Sequence, residues 1–196
     1  MKALLTILAA AGLMTPLPAR ADWQAAERTE PYAVSGSTGI ALYESIGENG
    51  PKAGIGRAIA FTDFKLLWSR DYRPQPDGSC VLATARPSLT ITYRLPKASG
   101  DMPAATRRLW ERFIEGVTKH EKVHGEMIVA MVKKIEAYSV GLTVADDPAC
   151  RKIREVLTRR LGELSQEQRA QSRDFDRVEM RDGGNVHQLI LALVNG

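Results

Sequence analysis

The pattern of apolar and polar positions predicts one long helix that begins at Pro103 and ends at Gly141. Within it, apolar residues recur every three or four positions, which places them on one helical face. These residues are Trp110, Phe113, Ile114, Val117, Ile128, Met131 and Ile135. Pro103 suits a first helical turn, and Asp101 before it is a candidate cap for the free amide groups. His120 and His124 fall within the apolar face, so we expect both imidazoles to point inward.

The N-terminal half has shorter apolar periods, which are typical of strands and turns. Residues 89–95 alternate strictly between apolar and polar, as in a strand with one buried face. Residues 58–72 are rich in β-forming side chains and lead into the turn signal of residues 73–78. Residues 80–85 predict another strand, and residues 38–46 predict a short helix. We therefore expect a small antiparallel sheet in this half of the chain.

The C-terminal half is predicted to be helical. Residues 148–180 form a second helical region, in which a capping-box sequence after Gly162 allows the helix to break and restart. The apolar tail, residues 186–194, is expected to pack on the core. The predicted fold class is α+β, a single domain over residues 22–196. In it the small antiparallel sheet packs on the long helix, and further helices follow.

Residues 1–21 have the three parts of a secretory signal peptide. Lys2 supplies the positive start, residues 3–13 form an apolar run, and residues 19–21 have the small-x-small form of a cleavage site. The run is shorter than the ~20 residues that a membrane-spanning helix needs. An uncleaved membrane anchor is the alternative. We expect a mature chain that starts near Asp22, has no stable membrane span, and is exported to the periplasm or the medium.

The charge of the chain argues against nucleic acid as a partner. The formal net charge is +4, and loss of Lys2 and Arg20 with the leader lowers it by two. A nucleic-acid-binding domain usually has a stronger and clustered basic excess. The basic residues of segment 151–160 alternate with apolar residues at helical spacing, so a solvated helix face explains them. The oligomeric state is not indicated by the sequence.

The two cysteines, Cys80 and Cys150, are expected to form a disulfide, because disulfides persist in exported proteins. In the chain-entropy model a crosslink over a loop of this length stabilises the fold by roughly 4 kcal/mol. The competing interpretation is a pair of thiolate ligands on a metal. Neither cysteine has a second one at the Cys-x-x-Cys spacing of such sites.

The motif His120-Glu121-x-x-His124 lies in the middle of the long predicted helix. Histidines four residues apart share a helical face, one turn apart, and both can bind one Zn²⁺ ion. The glutamate after the first histidine then lies where it can take a proton from metal-bound water. The motif predicts zinc-dependent hydrolysis with Glu121 as the general base. The alternative is a helix whose histidines are buried and hydrogen-bonded without a metal.

A catalytic zinc needs three protein ligands and one open position for water. Ala130 stands where a third histidine six residues beyond the second would be, so that arrangement is excluded. Glu179 is the first choice, because two histidines and a glutamate from a later helix form a known catalytic set. Asp176, one turn earlier, is then expected to orient a histidine. Asp182 and His187 are the reserve ligands.

The chain resembles a bacterial family, formally of unknown function, that is described as predicted secreted zinc-dependent proteases. The segments that carry this resemblance are residues 32–36, Cys80, residues 93–96, Trp110 with His120-Glu121-x-x-His124, Cys150, and Phe175-Asp176. The resemblance implies a zincin-like fold, in which a sheet packs on the metal-binding helix, and peptide hydrolysis as the activity. The chain departs from the family pattern in two places. Residues 179–183 lack the family's later histidine, and Lys122 places a charge between the two histidines.

These observations predict a secreted zinc-dependent metallopeptidase that hydrolyses peptide or protein substrates. Two other classes remain open at this point. One is a catalytically inactive metal-binding or partner-binding envelope protein on the same fold. The other is a structural domain with a dry histidine pair.

Overall fold

The computed structural model of the protein describes residues 23–54 and 56–196. The predicted signal peptide, residues 1–21, lies outside these ranges. The elements follow one another as β1 (Ala26–Ser35), α1 (Gly39–Asn49), β2 (Lys52–Ala53), β3 (Gly56–Arg57), β4 (Phe61–Pro74), β5 (Cys80–Ser99), α2 (Ala104–Ser139), β6 (Thr143–Val144), α3 (Lys152–Met180) and α4 (Asn185–Val194). The described chain is therefore α+β, as predicted, with four helices and a small sheet.

The main sheet is mixed, and the prediction of an antiparallel sheet was wrong in this respect. Its strand order is β1-β5-β4, and β6 also pairs with β5. β4 runs antiparallel to β5, with an irregularity between Asp71 and Tyr72. β1 runs parallel to β5. The two strands are not consecutive, because α1 and β4 lie between them in the chain, and this long connection allows the parallel pairing. The sequence did not predict β1 because this strand is largely exposed and lacks apolar alternation; only Val34 in it is buried.

The central strand β5 is one continuous strand of 20 residues, where two shorter strands were expected. Pro87 lies within it, opposite Trp68 of β4. In the described chain, β6 pairs with β5 at Cys80 and Val81, and β1 pairs with it only from Thr90 onward. Pro87 therefore lies where β5 has a strand on one side only, which is where a strand tolerates a residue without an N–H.

The long helix α2 packs its apolar face against the sheet, as its periodicity predicted. Six of the seven predicted positions are buried: Trp110, Phe113, Val117, Ile128, Met131 and Ile135. They share one core with Ile91, Tyr93 and Leu193, which come from β5 and from the tail helix α4. The expected cap at Asp101 is not made, because Pro103 is the N-cap residue and no side chain bonds the first turn.

The helix α3 is continuous through Gly162, and the expected break does not occur. A glycine inside a helix costs only about 1 kcal/mol, and packing offsets this because Leu157 and Leu164 are buried on either side of it. The start of α3 is fixed by the buried carboxylate of Asp147. Its oxygens accept hydrogen bonds from three successive backbone amides, those of residues 151–153, at 2.7–3.1 Å. The helix therefore begins at Lys152 and not near Pro148.

The disulfide between Cys80 and Cys150 is present, as predicted. It joins the start of β5 to the segment before α3, inside a second apolar cluster that includes Leu82 and Ile153. Because the sulfur atoms are bonded to each other, the alternative of two thiolate metal ligands is wrong. In the ranges that the structure describes, no helix is long and apolar enough to cross a membrane. Both findings are compatible with an exported protein.

Candidate metal centre

Three side chains bring one donor atom each to a common point between α2 and α3. We call His120, His124 and Asp176 the metal cluster. The Nε2 atoms of the two histidines are 3.1 Å apart. Oδ1 of Asp176 is 3.2 Å from Nε2 of His120 and 2.9 Å from Nε2 of His124. Two ligands that each lie about 2.1 Å from a tetrahedral zinc ion are about 3.4 Å apart, close to these separations.

Hydrogen bonds alone do not account for the metal cluster. Each Nε2 atom carries at most one proton, and an ionised carboxylate carries none. Burial raises the pKa of Asp176, but the close contacts with His120 and His124 outweigh it and hold the pKa well below the usual range. Two Nε2 atoms and an anionic oxygen therefore face one another at mutual contact distance. In the part of the chain that the structure describes, this is the one group of three or more such ligands close enough to share an ion.

The orientation of His124 is fixed by a chain of polar contacts from α3. Its Nδ1 atom lies 3.0 Å from Oγ of Ser172, and Nε2 of Gln168 donates to the same oxygen at 3.1 Å. We assign the proton of the neutral ring to Nδ1, where Ser172 accepts it, which leaves the lone pair of Nε2 facing the metal cluster. Burial lowers the pKa of His124, but the contact with Asp176 outweighs it and raises the pKa above its usual value.

His120 is held by packing and lacks a polar partner on its outer nitrogen. Its ring stacks on Phe175 with the ring centroids 4.7 Å apart. Among the described residues, the buried Nδ1 atom has no hydrogen-bond partner. Oε2 of Glu179 is 3.8 Å from it, just beyond hydrogen-bond distance, while Oε1 of Glu179 accepts from Asn185.

The positions of Asp176 and Glu179 are thus the reverse of those expected. Glu179 was predicted as the third ligand and Asp176 as the residue that orients a histidine. Asp176 reaches the Nε2 atoms, and Glu179 lies on the Nδ1 side of His120. The two residues are one turn apart on α3, so both face α2. The rotation of α3 about its axis relative to α2 decides which carboxylate reaches which nitrogen.

Glu121 is buried beside the metal cluster, with 6% of its surface exposed. Oγ1 of Thr62, at the start of β4, donates to its Oε2 atom at 2.5 Å. Burial raises the pKa of Glu121, opposed by the hydrogen bond from Thr62 and by the two histidines. The sheet therefore positions this carboxylate through a single hydroxyl group.

Lys122 points away from the metal cluster and toward the sheet. We call Lys122, Glu27 and Tyr93 the lysine cluster. The ammonium group pairs with the carboxylate of Glu27 and lies 4.2 Å from the centre of the Tyr93 ring. The hydroxyl of Tyr93 donates to Glu27 at 3.0 Å. The charge of Lys122, which departs from the family pattern, is thus neutralised by Glu27 away from the metal cluster.

A cleft of about 710 Å³ opens on the Nε2 side of the metal cluster. Its walls are residues 61–64 of β4, the face of α2 that carries the motif, and one face of α3. A second cavity of about 670 Å³ lies on the other side of His120, lined by Gly116, Phe175, Glu179 and Leu189. Among the described residues, only His120 borders both cavities.

The reserve ligands are not brought to the metal cluster. Asp182 is fully exposed, and its carboxylate lies 3.9 Å from the ring of His187, which accepts a bond from the backbone of Gly183. Two contacts of the site were missed by the sequence analysis. Ser172 lies four residues before Asp176 on a helix and so shares its face, a signal that was available. Thr62 gave no such signal, because its approach to Glu121 depends on how the sheet packs on α2.

A family of bacterial proteins of unknown function, DUF922, matches residues 29–184, and the chain belongs to this family. The match runs from within β1 to just beyond the end of α3, and it includes every residue of the metal cluster and both cysteines. No significant similarity was found to a curated protein or to a solved structure.

Proposed function

We propose that this protein is an exported, zinc-dependent metallopeptidase with a zincin-like arrangement of sheet and motif helix. His120, His124 and Asp176 would hold the zinc, and Glu121 would act as general base. The observation that carries the proposal is the convergence of three donor atoms within 3.2 Å of one another, beside a buried carboxylate.

The residues of the metal cluster fit a catalytic zinc ion. Imidazole nitrogen and carboxylate oxygen are ordinary zinc ligands, and three protein ligands leave the fourth position open. When bound, zinc would polarise the scissile carbonyl and lower the pKa of its water toward ~7. The anionic charge of Asp176 and the assigned lone pair of His124 both favour a cation at this point.

The remaining residues have roles that follow from their contacts. Glu121 accepts a proton from the attacking water and passes it to the leaving amine. Thr62 holds the carboxylate of Glu121 in place through its hydroxyl group. Ser172 fixes the ring of His124, and Glu179 is placed to do the same for His120 after a small side-chain rotation. The cleft beside the metal cluster has room for a peptide segment.

One observation favours the alternative, a metal-binding or partner-binding envelope protein without catalysis. The Oε2 atom of Glu121 already accepts a short hydrogen bond, and the residue is nearly inaccessible. A base that cannot reach water leaves a protein that binds zinc and hydrolyses nothing.

Zinc analysis combined with Glu121→Gln tests the proposal. The purified protein should contain close to one zinc ion per chain and cleave unfolded protein substrates. Glu121→Gln should retain the zinc and lose about 10²–10⁴-fold in kcat/KM. Glu126→Gln, an exposed position on the same helix, is the matched control and should behave like the wild type. Zinc without hydrolysis would favour the alternative. The absence of stoichiometric zinc would contradict the metallopeptidase and leave only the partner-binding form of the alternative.

A further inference from the structure

The cleft beside the metal cluster carries charge that the proposed chemistry does not use. The charged side chains that line it are Arg57, Asp63, Glu121, Arg169, Arg173 and Asp176. Asp176 already contacts both histidines, and Glu121 accepts from Thr62. Asp63 lies 3.8 Å from the guanidinium group of Arg94. The three acidic groups of the cleft therefore all have partners.

Arg169 and Arg173 of α3 have no such partners among the described residues. Both are exposed, and within residues 23–54 and 56–196 neither makes a side-chain hydrogen bond or an ion pair. Two other arginines of α3 are paired, Arg160 with Glu163 and Arg177 with Asp174, and neither of these two lines the cleft. Two positive groups that line a cleft and pair with none of its carboxylates are available to bind an anion there.

The spacing of these two arginines places them along the cleft on one side of the metal cluster. Counting from Asp176 at about 1.5 Å per residue, Arg173 lies about 4.5 Å and Arg169 about 10 Å back along the axis of α3. An extended peptide advances about 3.3 Å per residue. The arginines thus lie opposite positions about one to three residues from a bond held at the metal cluster.

We propose that the cleft selects peptides that carry a carboxylate side chain within about three residues of the scissile bond, with Arg173 and Arg169 as the specificity-determining residues. The inference rests on the proposed metallopeptidase function, whose substrate class it narrows from peptides in general to acidic peptides. A guanidinium group suits this role because it can bind a carboxylate with two parallel hydrogen bonds.

Binding of single-carboxylate peptides to zinc-loaded Glu121→Gln tests the proposal without turnover. Fluorescently labelled, uncharged nonapeptides with blocked termini would carry one Glu at each position in turn, and matched peptides would carry Gln there. We expect one or two adjacent positions at which the Glu peptide binds about 5–20-fold more tightly by fluorescence anisotropy. That advantage should shrink as ionic strength rises.

The double substitution Arg169→Gln with Arg173→Gln should bring the affinities for Glu and Gln peptides within about twofold of each other by weakening the Glu peptide alone. Arg177→Gln removes the same charge from the same helix outside the cleft, so it should leave the preference intact. Circular dichroism would check that the double variant is folded. A second double variant, Arg169→Gln with Arg173→Lys, should keep part of the preference for Glu peptides. Equal affinity for Glu and Gln peptides, absence of peptide binding, or a preference that survives in the double variant would overturn the proposal.

The same peptides separate this inference from the function on which it rests. Hydrolysis of Glu and Gln peptides with equal kcat/KM by the zinc-loaded wild type would refute acidic selectivity and leave the metallopeptidase standing. Selective binding of Glu peptides with no cleavage of any peptide would refute the metallopeptidase and support the acidic-peptide cleft.

Discussion

The helix α2 carries two polar clusters back to back, and they differ in how their charges are matched. In the lysine cluster, Lys122 and Glu27 have opposite charges, and the hydroxyl of Tyr93 donates to the carboxylate. Every polar group there has a complementary partner. In the metal cluster, two imidazole nitrogens face each other and a single anion. The lysine cluster needs no ligand to balance its charges, whereas the metal cluster has the donor set and the spacing of a cation site, as the proposed function requires.

Removal of the anion of the metal cluster should have the largest effect of the substitutions that test this difference. Asp176→Asn deletes the charge and leaves two histidine ligands. We expect the Kd for zinc, measured by competition with a chelator, to rise about a thousandfold. Asp174→Asn, two residues earlier on α3 and exposed, should leave the affinity unchanged. Equal effects of the two substitutions would exclude Asp176 as a ligand.

Glu179→Ala tests whether this residue orients His120 and does not bind the metal. A residue that acts through a histidine typically affects metal affinity about 10–100-fold, less than the loss of a ligand. The same competition measurement should therefore rank Glu179→Ala below Asp176→Asn, with Glu167→Ala as the exposed control on α3. A loss of zinc affinity larger than that caused by Asp176→Asn would instead identify Glu179 as the third ligand.

The lysine cluster is packed tightly against α2, which Gly125→Ala tests. A Cβ at Gly125 would lie 2.2 Å from the hydroxyl oxygen of Tyr93, whose ring is buried. We expect the substitution to lower the free energy of unfolding by about 1–3 kcal/mol, because overpacking outweighs the gain in helix propensity. Gly162→Ala in α3 meets no atom within 4 Å and should instead stabilise the protein by about 0.5–1 kcal/mol. Thermal unfolding of the two variants and the wild type would measure these changes. A Gly125→Ala variant more stable than the wild type would show that Tyr93 can move aside, and it would contradict tight packing here.

Lys122→Met should have the smallest effect, and it should be confined to stability. The ion pair is about half exposed, so its loss together with the ring contact should cost about 1 kcal/mol at pH 7. The hydrogen bond from Lys122 lowers the pKa of Glu27 below its ordinary value of 4.5. The pKa of Glu27 is thus lower in the folded than in the unfolded chain. The ion pair therefore contributes to the free energy of unfolding above pH 4.5, and this contribution is lost as the pH falls below that value. Urea unfolding at several pH values would measure this, and zinc affinity should not change.

The long helix and its inward-facing histidines were predictable because α2 is 36 residues long, and a regular apolar period over that length leaves little ambiguity. The disulfide was predictable because the chain has only two cysteines and a predicted export signal, which favours their pairing. Both predictions depended on local pattern or on composition, which the sequence contains directly.

The features that were missed depend on tertiary packing. β1 is an exposed edge strand whose charged side chains hide the strand period, and its parallel direction follows from the path of the chain. The continuity of α3 at Gly162 depends on packing at neighbouring turns. The exchange of Asp176 and Glu179 depends on the rotation of α3 against α2, which no spacing along the sequence reports.

X-ray absorption at the zinc edge of the protein loaded with one equivalent of zinc tests the central claim most directly. We predict a four-coordinate ion with two imidazole ligands and oxygen ligands, all at about 2.0–2.2 Å. The imidazole signal should be lost in the double substitution His120→Ala with His124→Ala. A spectrum of six oxygen ligands without imidazole, or zinc that is removed by simple dialysis, would contradict a metal centre at this point of α2.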